Sequence, residues 1–182
     1  SSHSTAYYNR GVAWKKSGFE KNARSDFEKG MENITKWIAL YPKSPAAYTN
    51  RAVYQGELNR FDAAIQDCTN AIEIDPAYGN AYGTRGEAYR NRGDLESAGR
   101  DFTKVLEIDP KNYVAWMNRG KLRKTQKEYK AALNDFSKAI SLRPNAASAY
   151  QERGSLLLEM GDLAEALRDC TKAIDLLPRA LH

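Results

Sequence analysis

Histidine and cysteine are nearly absent from this chain of 182 residues. His3 and His182 stand at its two ends, and Cys68 and Cys170 lie far apart. Such a supply makes no paired-histidine zinc motif and no closely spaced cysteine pair, and neither a phosphate loop nor a nucleophile elbow appears. No metal site and no cofactor are therefore expected. With no base, metal or phosphate cradle to work with, an enzyme is not expected either. Long apolar runs are missing too. No stretch reaches the roughly 18 apolar residues of a membrane span, and no secretory signal is visible. Residues 1–4, Ser-Ser-His-Ser, read as the remnant of a tag, which leaves localisation open. A reducing compartment such as the cytoplasm is favoured by two thiols with no partner in reach.

A dominant charge is also lacking. The 28 basic residues face 23 acidic ones, for a net charge of +5. The balance is uneven along the chain: +4 over residues 1–44, −3 over 45–78, zero over 79–112, +6 over 113–146 and −2 beyond. The basic segment at 113–146 favours an acidic partner surface and speeds encounter with it. Nucleic acid is disfavoured, because basic segments alternate with acidic ones and form no continuous stripe.

What the chain has in abundance is periodicity. Pro42, Pro76, Pro110, Pro144 and Pro178 follow one another every 34 residues. The same step links Tyr48, Tyr82, Trp116 and Tyr150, and also Ala64, Ala98, Ala132 and Ala166. Self-similarity of this kind marks a repeat architecture. Within one period, 79–112, two helical stripes appear. Ala81, Tyr82, Arg85, Gly86 and Tyr89 recur at three- and four-residue steps, Gly93-Asp94 breaks the chain, and Leu95, Ala98, Phe102, Val105 and Leu106 form the second stripe. Asp109-Pro110 ends it, since proline neither continues a helix nor leaves its predecessor helical. Each repeat is thus a hairpin of helix A and helix B. Tyr82 and Phe102 are expected to fill the space between them, beside the small residues Gly86 and Ala98.

Trp116, Arg119-Gly120, Ala132, Phe136, Ala139 and Pro144 fall on the pattern of an aromatic, a small residue, Ala, Phe and Pro at fixed offsets. In this the chain resembles the tetratricopeptide repeat (TPR) family. The resemblance implies an all-α fold, a right-handed α-α superhelix of about five helix-turn-helix repeats. Their bounds are 5–44, 45–78, 79–112, 113–146 and 147–180. One column departs from the family, with Arg standing where Leu is usual before the small residue. The first repeat departs as well. Tyr7, Gly11, Ala23 and Phe27 match, yet Pro42 arrives seven residues late. Seven residues are about two helical turns, so helix B of that repeat is expected to be two turns too long, with Phe27, Met31, Ile34 and Ile38 on one stripe. The extension reads either as an end cap or as a platform for a partner.

Two polar columns run through all five repeats: Arg10, Arg51, Arg85, Arg119 and Arg153, and sixteen residues on, Asp26, Asp67, Asp101, Asp135 and Asp169. A guanidinium buried alone would be costly, and its planar fork suits a carboxylate. The expectation is a structural ladder of Arg–Asp pairs joining helix A to helix B. Cys68 and Cys170 share the column of Phe27, Phe102 and Phe136, and are expected to be buried, reduced thiols. Arg92-Gly93-Asp94 reads as a turn, and Asn33-Ile34-Thr35 as a chance glycosylation triplet in a helix.

The resemblance to the TPR family implies that the function is to bind a protein or peptide on the inner wall of the A helices. Mapped onto this chain, that groove includes Tyr8, Asn9, Lys15, Lys16, Asn50, Arg90, Asn91, Met117, Asn118, Lys121 and Lys124. Asn9, Asn50 and Asn118 share a column, and an asparagine there can donate to and accept from an extended peptide backbone. The carboxylate clamp for chaperone tails is not matched by any three consecutive repeats. The alternative is an assembly scaffold. Leu167, Cys170, Ile174 and Leu177 form an apolar flank on the last B helix with too little chain after it for a covering helix, and open solenoid ends stack on another copy or on missing sequence.

Overall fold

The structure, a computed structural model, describes residues 2–177. Pro178, which closes the proline series, and the rest of the fifth repeat to residue 180 lie outside the described residues, as does His182. Among the described residues there are ten α-helices and no strand. They are α1 (Ser2–Lys16), α2 (Glu20–Leu40), α3 (Pro45–Glu57), α4 (Phe61–Ile74), α5 (Gly79–Arg92), α6 (Leu95–Ile108), α7 (Tyr113–Thr125), α8 (Tyr129–Leu142), α9 (Ala147–Met160) and α10 (Leu163–Leu176). Odd-numbered helices are the A helices and even-numbered ones the B helices. Residues 2–4, of the segment read as a tag remnant, form the first turn of α1.

Local chemistry sets the boundaries. At one position of each A–B turn the backbone takes a left-handed conformation: Gly18 (φ +79°), Asn59 (+58°), Gly93 (+95°), Lys127 (+62°) and Gly161 (+85°). Glycine meets no side-chain penalty there and asparagine little, whereas lysine is strained. The B–A turns are closed by short polar side chains. Asp75 accepts from the backbone N–H of Ala77 (2.9 Å) and Asp109 from that of Lys111 (3.0 Å). Ser44 caps α3 through the N–H of Ala47, and Asn112 caps α7 through that of Ala115.

The chain divides into two compact units, with the boundary between Asp101 and Phe102 inside α6. In the first, α2 runs for 21 residues, against 14 for α4. The extra turns keep one face buried. Phe27 packs against Gly11 of α1, where an added Cβ would sit 2.5 Å from the ring, and Ile34 and Ile38 share a core with Ala47 and Tyr54 of α3. Gly30 leaves the notch into which the Tyr54 ring fits, and the Tyr54 hydroxyl donates to the carbonyl of Ser4. Burial pushes the Tyr54 hydroxyl up to about 12. In the second unit, Ala132, Phe136 and Ala139 of α8 pack with Met117 of α7 and with Ala149 and Leu156 of α9. Phe136 lies over Gly120, where an added Cβ would meet the ring at 2.7 Å.

Two expectations need correction. Tyr82 does not fill the interior. It is only half-buried, and its hydroxyl donates to the Pro76 carbonyl (3.2 Å), so the ring lies against the preceding loop. Trp116 does the same through Nε1 and the Pro110 carbonyl (2.9 Å). The thiols also differ. Cys68 is fully buried among Ala52, Ala64 and Ala88, with an A helix on either side of α4, whereas Cys170 is only partly buried. Burial is the main cause that pushes the Cys68 thiol up to about 12, and the neighbouring Asp67 adds to it.

Candidate functional site

The Arg and Asp columns meet in every repeat. In each pair the arginine Nε and Nη2 donate to the two carboxylate oxygens, at 2.6 and 2.8 Å for Arg10–Asp26 and 2.7 Å twice for Arg51–Asp67. The other three are Arg85–Asp101 (2.8 and 2.9 Å), Arg119–Asp135 (3.0 and 2.9 Å) and Arg153–Asp169 (2.7 and 2.8 Å). All five aspartates are buried. The hydrogen bonds from Arg10 hold the Asp26 carboxyl below the usual carboxylate range, and the same contact raises the arginine.

The third guanidinium nitrogen does something the sequence reading missed. Nη1 of Arg51, Arg85, Arg119 and Arg153 donates to Thr35 (3.4 Å), Thr69 (3.1 Å), Thr103 (3.2 Å) and Ser137 (3.1 Å), each on the preceding B helix. One side chain therefore ties three helices, with the hydroxyl sixteen residues before it and the carboxylate sixteen after. The guanidinium also rests over the aromatic one turn earlier, 4.8 Å from the Trp116 ring in the case of Arg119. The signal was present as a hydroxyl column, Thr35, Thr69, Thr103, Ser137 and Thr171, with the 34-residue step. Apolar columns flank it. Ala88 packs with Cys68 of the preceding B helix, and Ala149 and Leu156 pack with Leu133 and Ile140.

On the A helices of each unit, most of the cations mapped to the groove are already paired. Lys15 pairs with Glu57 on the next A helix (3.0 Å), and the Tyr8 hydroxyl reaches the same carboxylate (3.4 Å). Lys121 pairs with Glu152 (3.1 Å), and Lys124 with Glu159 (3.0 Å) and the Ser155 hydroxyl (2.8 Å). Arg90 is held by Glu87 of its own helix. Asn9, Lys16, Asn50 and Asn91 are exposed and Asn118 is partly so. Met117 is buried in the α7–α9 core, so it is a packing residue and leaves the groove set.

These columns can be set beside known proteins. Family models described as tetratricopeptide repeat match residues 45–78, 79–112, 113–146 and 147–178. The chain belongs to the tetratricopeptide repeat family. It is an all-α TPR solenoid, with five helix-turn-helix repeats among the described residues. No curated protein matches it in sequence. Among solved structures it is similar to MamA at 19% identity, with 87% of this chain and 93% of that one covered and a TM-score of 0.76. It is also similar to TTC0263, a thermophilic TPR protein of Thermus thermophilus, at 23% identity over 98% and 93% of the two chains (TM-score 0.72). A third is YrrB, a TPR protein with an unusual peptide-binding site, at 16% identity over 96% and 87% (TM-score 0.66). At these identities the likeness is one of fold.

The lengthened α2 gives this TPR chain a cavity of about 410 Å³ between α1, α2 and α3. Tyr8, Ile34, Trp37, Val53 and Tyr54 supply its apolar wall, and Asn33 and Asn50 its amides. Trp37 is 44% exposed and stacks on Tyr41 with ring centroids 4.3 Å apart. Asn33 of the glycosylation triplet thus faces the cavity, and Thr35 is engaged by Arg51. In Arg92-Gly93-Asp94, the arginine pairs with Asp62 (2.7 Å) and Asp94 caps α6 through the Ser97 N–H. Among the described residues no cluster could hold a metal ion, and no helix is long and apolar enough to cross a membrane.

The outer helices differ from their internal counterparts. Leu167 and Ile174 of α10 are 69% and 68% exposed, and Leu163 and Leu177 extend the same face. Their counterparts one repeat earlier, Leu133 and Ile140, are partly buried against α9. On α1, Ala6 and Ala13 are exposed, although Ala47, Ala81, Ala115 and Ala149 and also Tyr54, Ala88, Leu122 and Leu156 in the same columns are buried. The Arg10 side chain is 58% exposed, against 12% for Arg119.

Proposed function

We propose that this TPR module is an assembly scaffold that associates with further copies of itself through the exposed face of α10. The observation that supports this reading is the apolar stripe of Leu163, Leu167, Ile174 and Leu177. In the columns of Leu167 and Ile174, the internal residues Met31, Ile65 and Leu133 and also Ile38, Ile72, Leu106 and Ile140 are buried or partly so. A stripe of this size is the kind of surface that marks an interaction site. Sedimentation velocity over a range of micromolar concentrations tests it. Association should rise with concentration and vanish in Leu167→Glu/Ile174→Glu, and a wild-type chain that stays monomeric throughout sinks the reading.

A second reading, favoured by the cavity beside α2, is capture of an extended peptide on the inner wall. The cavity would take an apolar side chain, and Asn50 would bind the peptide backbone. Because Lys15, Lys121 and Lys124 are already paired, an acidic peptide has few free cations to meet here. A peptide with a bulky apolar residue suits the site better. Titration of a tryptophan-containing peptide library against wild type and Asn50→Ala checks this; a bound peptide with undiminished affinity for the variant moves the site away from the cavity.

A further inference from the structure

We infer that the second copy docks head to tail, its α1 seated on α10 of the first, so that Arg10 of one copy meets Thr171 of the next. The inference rests on the self-association reading and names its geometry. Within the chain, every junction from a B helix to the next A helix repeats one set of columns. Positions spaced as 133, 137 and 140 on the B side receive positions spaced as 149, 153 and 156 on the A side, each sixteen residues on. The same spacing recurs three more times, at Met31, Thr35 and Ile38 against Ala47, Arg51 and Tyr54, and so on up the chain. At its centre sits the hydroxyl–guanidinium bond described above.

Among the described residues, the first and last helices each carry one half of that junction without the other half against it. Leu167, Thr171 and Ile174 are the B half, and Ala6, Arg10 and Ala13 are the A half, and all six are exposed. The B half on α10 is prepared in the same way as two of the internal ones. Thr171 donates to the Leu167 carbonyl (2.8 Å), as Thr69 does to Ile65 (2.9 Å) and Thr35 to Met31 (3.0 Å), which leaves the oxygen lone pairs turned outward to accept. Arg10 already has Nε and Nη2 fixed on Asp26, while among the described residues its Nη1 lacks the hydroxyl that its four counterparts bind. Charge agrees with the pairing, since residues 1–44 carry +4 and residues 147–182 carry −2. Small Ala6 and Ala13 admit a close helix approach, as Ala81 and Ala88 do inside. Such a contact is heterologous: the surface used on one copy differs from that used on the other, so each copy keeps a free end and growth continues unless a ring closes.

The test uses two blocked chains. Ala13→Glu blocks the head and Leu167→Glu/Ile174→Glu blocks the tail; all three positions are exposed, so each variant should fold, which circular dichroism verifies. Sedimentation velocity should show wild type growing beyond dimer with concentration, each variant alone as a monomer, and an equimolar mixture of the two stopping at a 1:1 dimer. Thr171→Val, which removes only the acceptor, should weaken association about tenfold. If the head variant still associates like wild type, or the mixture stays monomeric while wild type assembles, the head-to-tail geometry is wrong although self-association stands. A Thr171→Val chain of unchanged affinity likewise overturns the register. A monomeric wild type removes both.

Discussion

Replacing Asp135 by alanine should cost far more than the same change at Asp26, although the two residues hold the same column and make the same fork. Asp135 is fully buried and accepts from Arg119 Nε (3.0 Å) and Nη2 (2.9 Å) and from Arg123 Nη1 (2.7 Å). Its removal strands Arg119, whose side chain is 12% exposed, beside a new cavity. An intact buried ion pair is weak evidence of net stabilisation, because desolvation offsets much of the attraction. Breaking one by deleting a partner typically costs about 3–5 kcal/mol. With a urea slope of about 2 kcal/mol/M for a chain of this size, the midpoint should fall by roughly 2 M. At the other position Arg10 is 58% exposed, and water takes over the guanidinium when Asp26 is lost; the shift should be less than half as large. Urea unfolding followed by far-ultraviolet circular dichroism measures both. Because repeat arrays can melt in parts, the two variants are to be compared at matched wavelengths and with the full transition recorded. Equal shifts, or a shift at Asp135 within error of zero, would refute the view that burial of the fork governs its contribution. A double variant, Arg119→Met with Asp135→Leu, should recover part of the loss, since it removes the stranded charge as well as its partner.

Lys127 holds the left-handed turn position that Gly18, Gly93 and Gly161 occupy elsewhere, so Lys127→Gly should raise stability by roughly 1 kcal/mol, visible as a higher urea midpoint. Gly30→Ala should do the opposite. The added methyl runs into the buried Tyr54 ring, an overpacking expected to cost about 1–3 kcal/mol, and hydrogen exchange in the first turn of α1 should quicken as the Tyr54–Ser4 contact loosens. The two thiols should separate kinetically at pH 8. With its thiol pushed up to about 12, Cys68 has roughly a thousandth of the thiolate of an ordinary cysteine and no access, so a thiol reagent should label Cys170 quickly and Cys68 only on unfolding. The rapid phase should disappear in Cys170→Ser.

Most of the fold could be read from the chain because the repeat writes each structural demand five times. The proline step placed the B–A turns, the small-residue column placed the close contact of A with B, and the sixteen-residue offset from Arg to Asp matched the reach across one hairpin. Where a residue served two neighbours, a single-repeat reading lost half of it. The hydroxyl column was visible as spacing, but Thr and Ser on a helix surface carry no message until a guanidinium is found beside them. Tyr82 misled for a related reason: an aromatic in periodic register reads as core, yet its hydroxyl needs a partner, and the loop carbonyl of Pro76 draws the ring outward. Met117 shows the reverse, an A-helix position that faces the groove in outline but is closed over by α9. The lysines of the inner wall were legible as charge, whereas their neutralisation by Glu57, Glu152 and Glu159 depends on which helices lie side by side.

Periodicity also explains why the proposed interface falls on the first and last helices. An internal repeat commits its A-side columns to the B helix before it and its B-side columns to the A helix after it, so neither set is available to a partner. Ala6, Arg10 and Ala13 are as fit for burial as their internal counterparts, and so are Leu167, Thr171 and Ile174. Leu167 and Ile174 are apolar, and Thr171 keeps the hydroxyl of its column. Exposed apolar surface of this kind marks an interaction site, and in the proposed assembly a neighbouring copy of the same design covers it. In that proposal the two half-junctions form one interface divided between two copies.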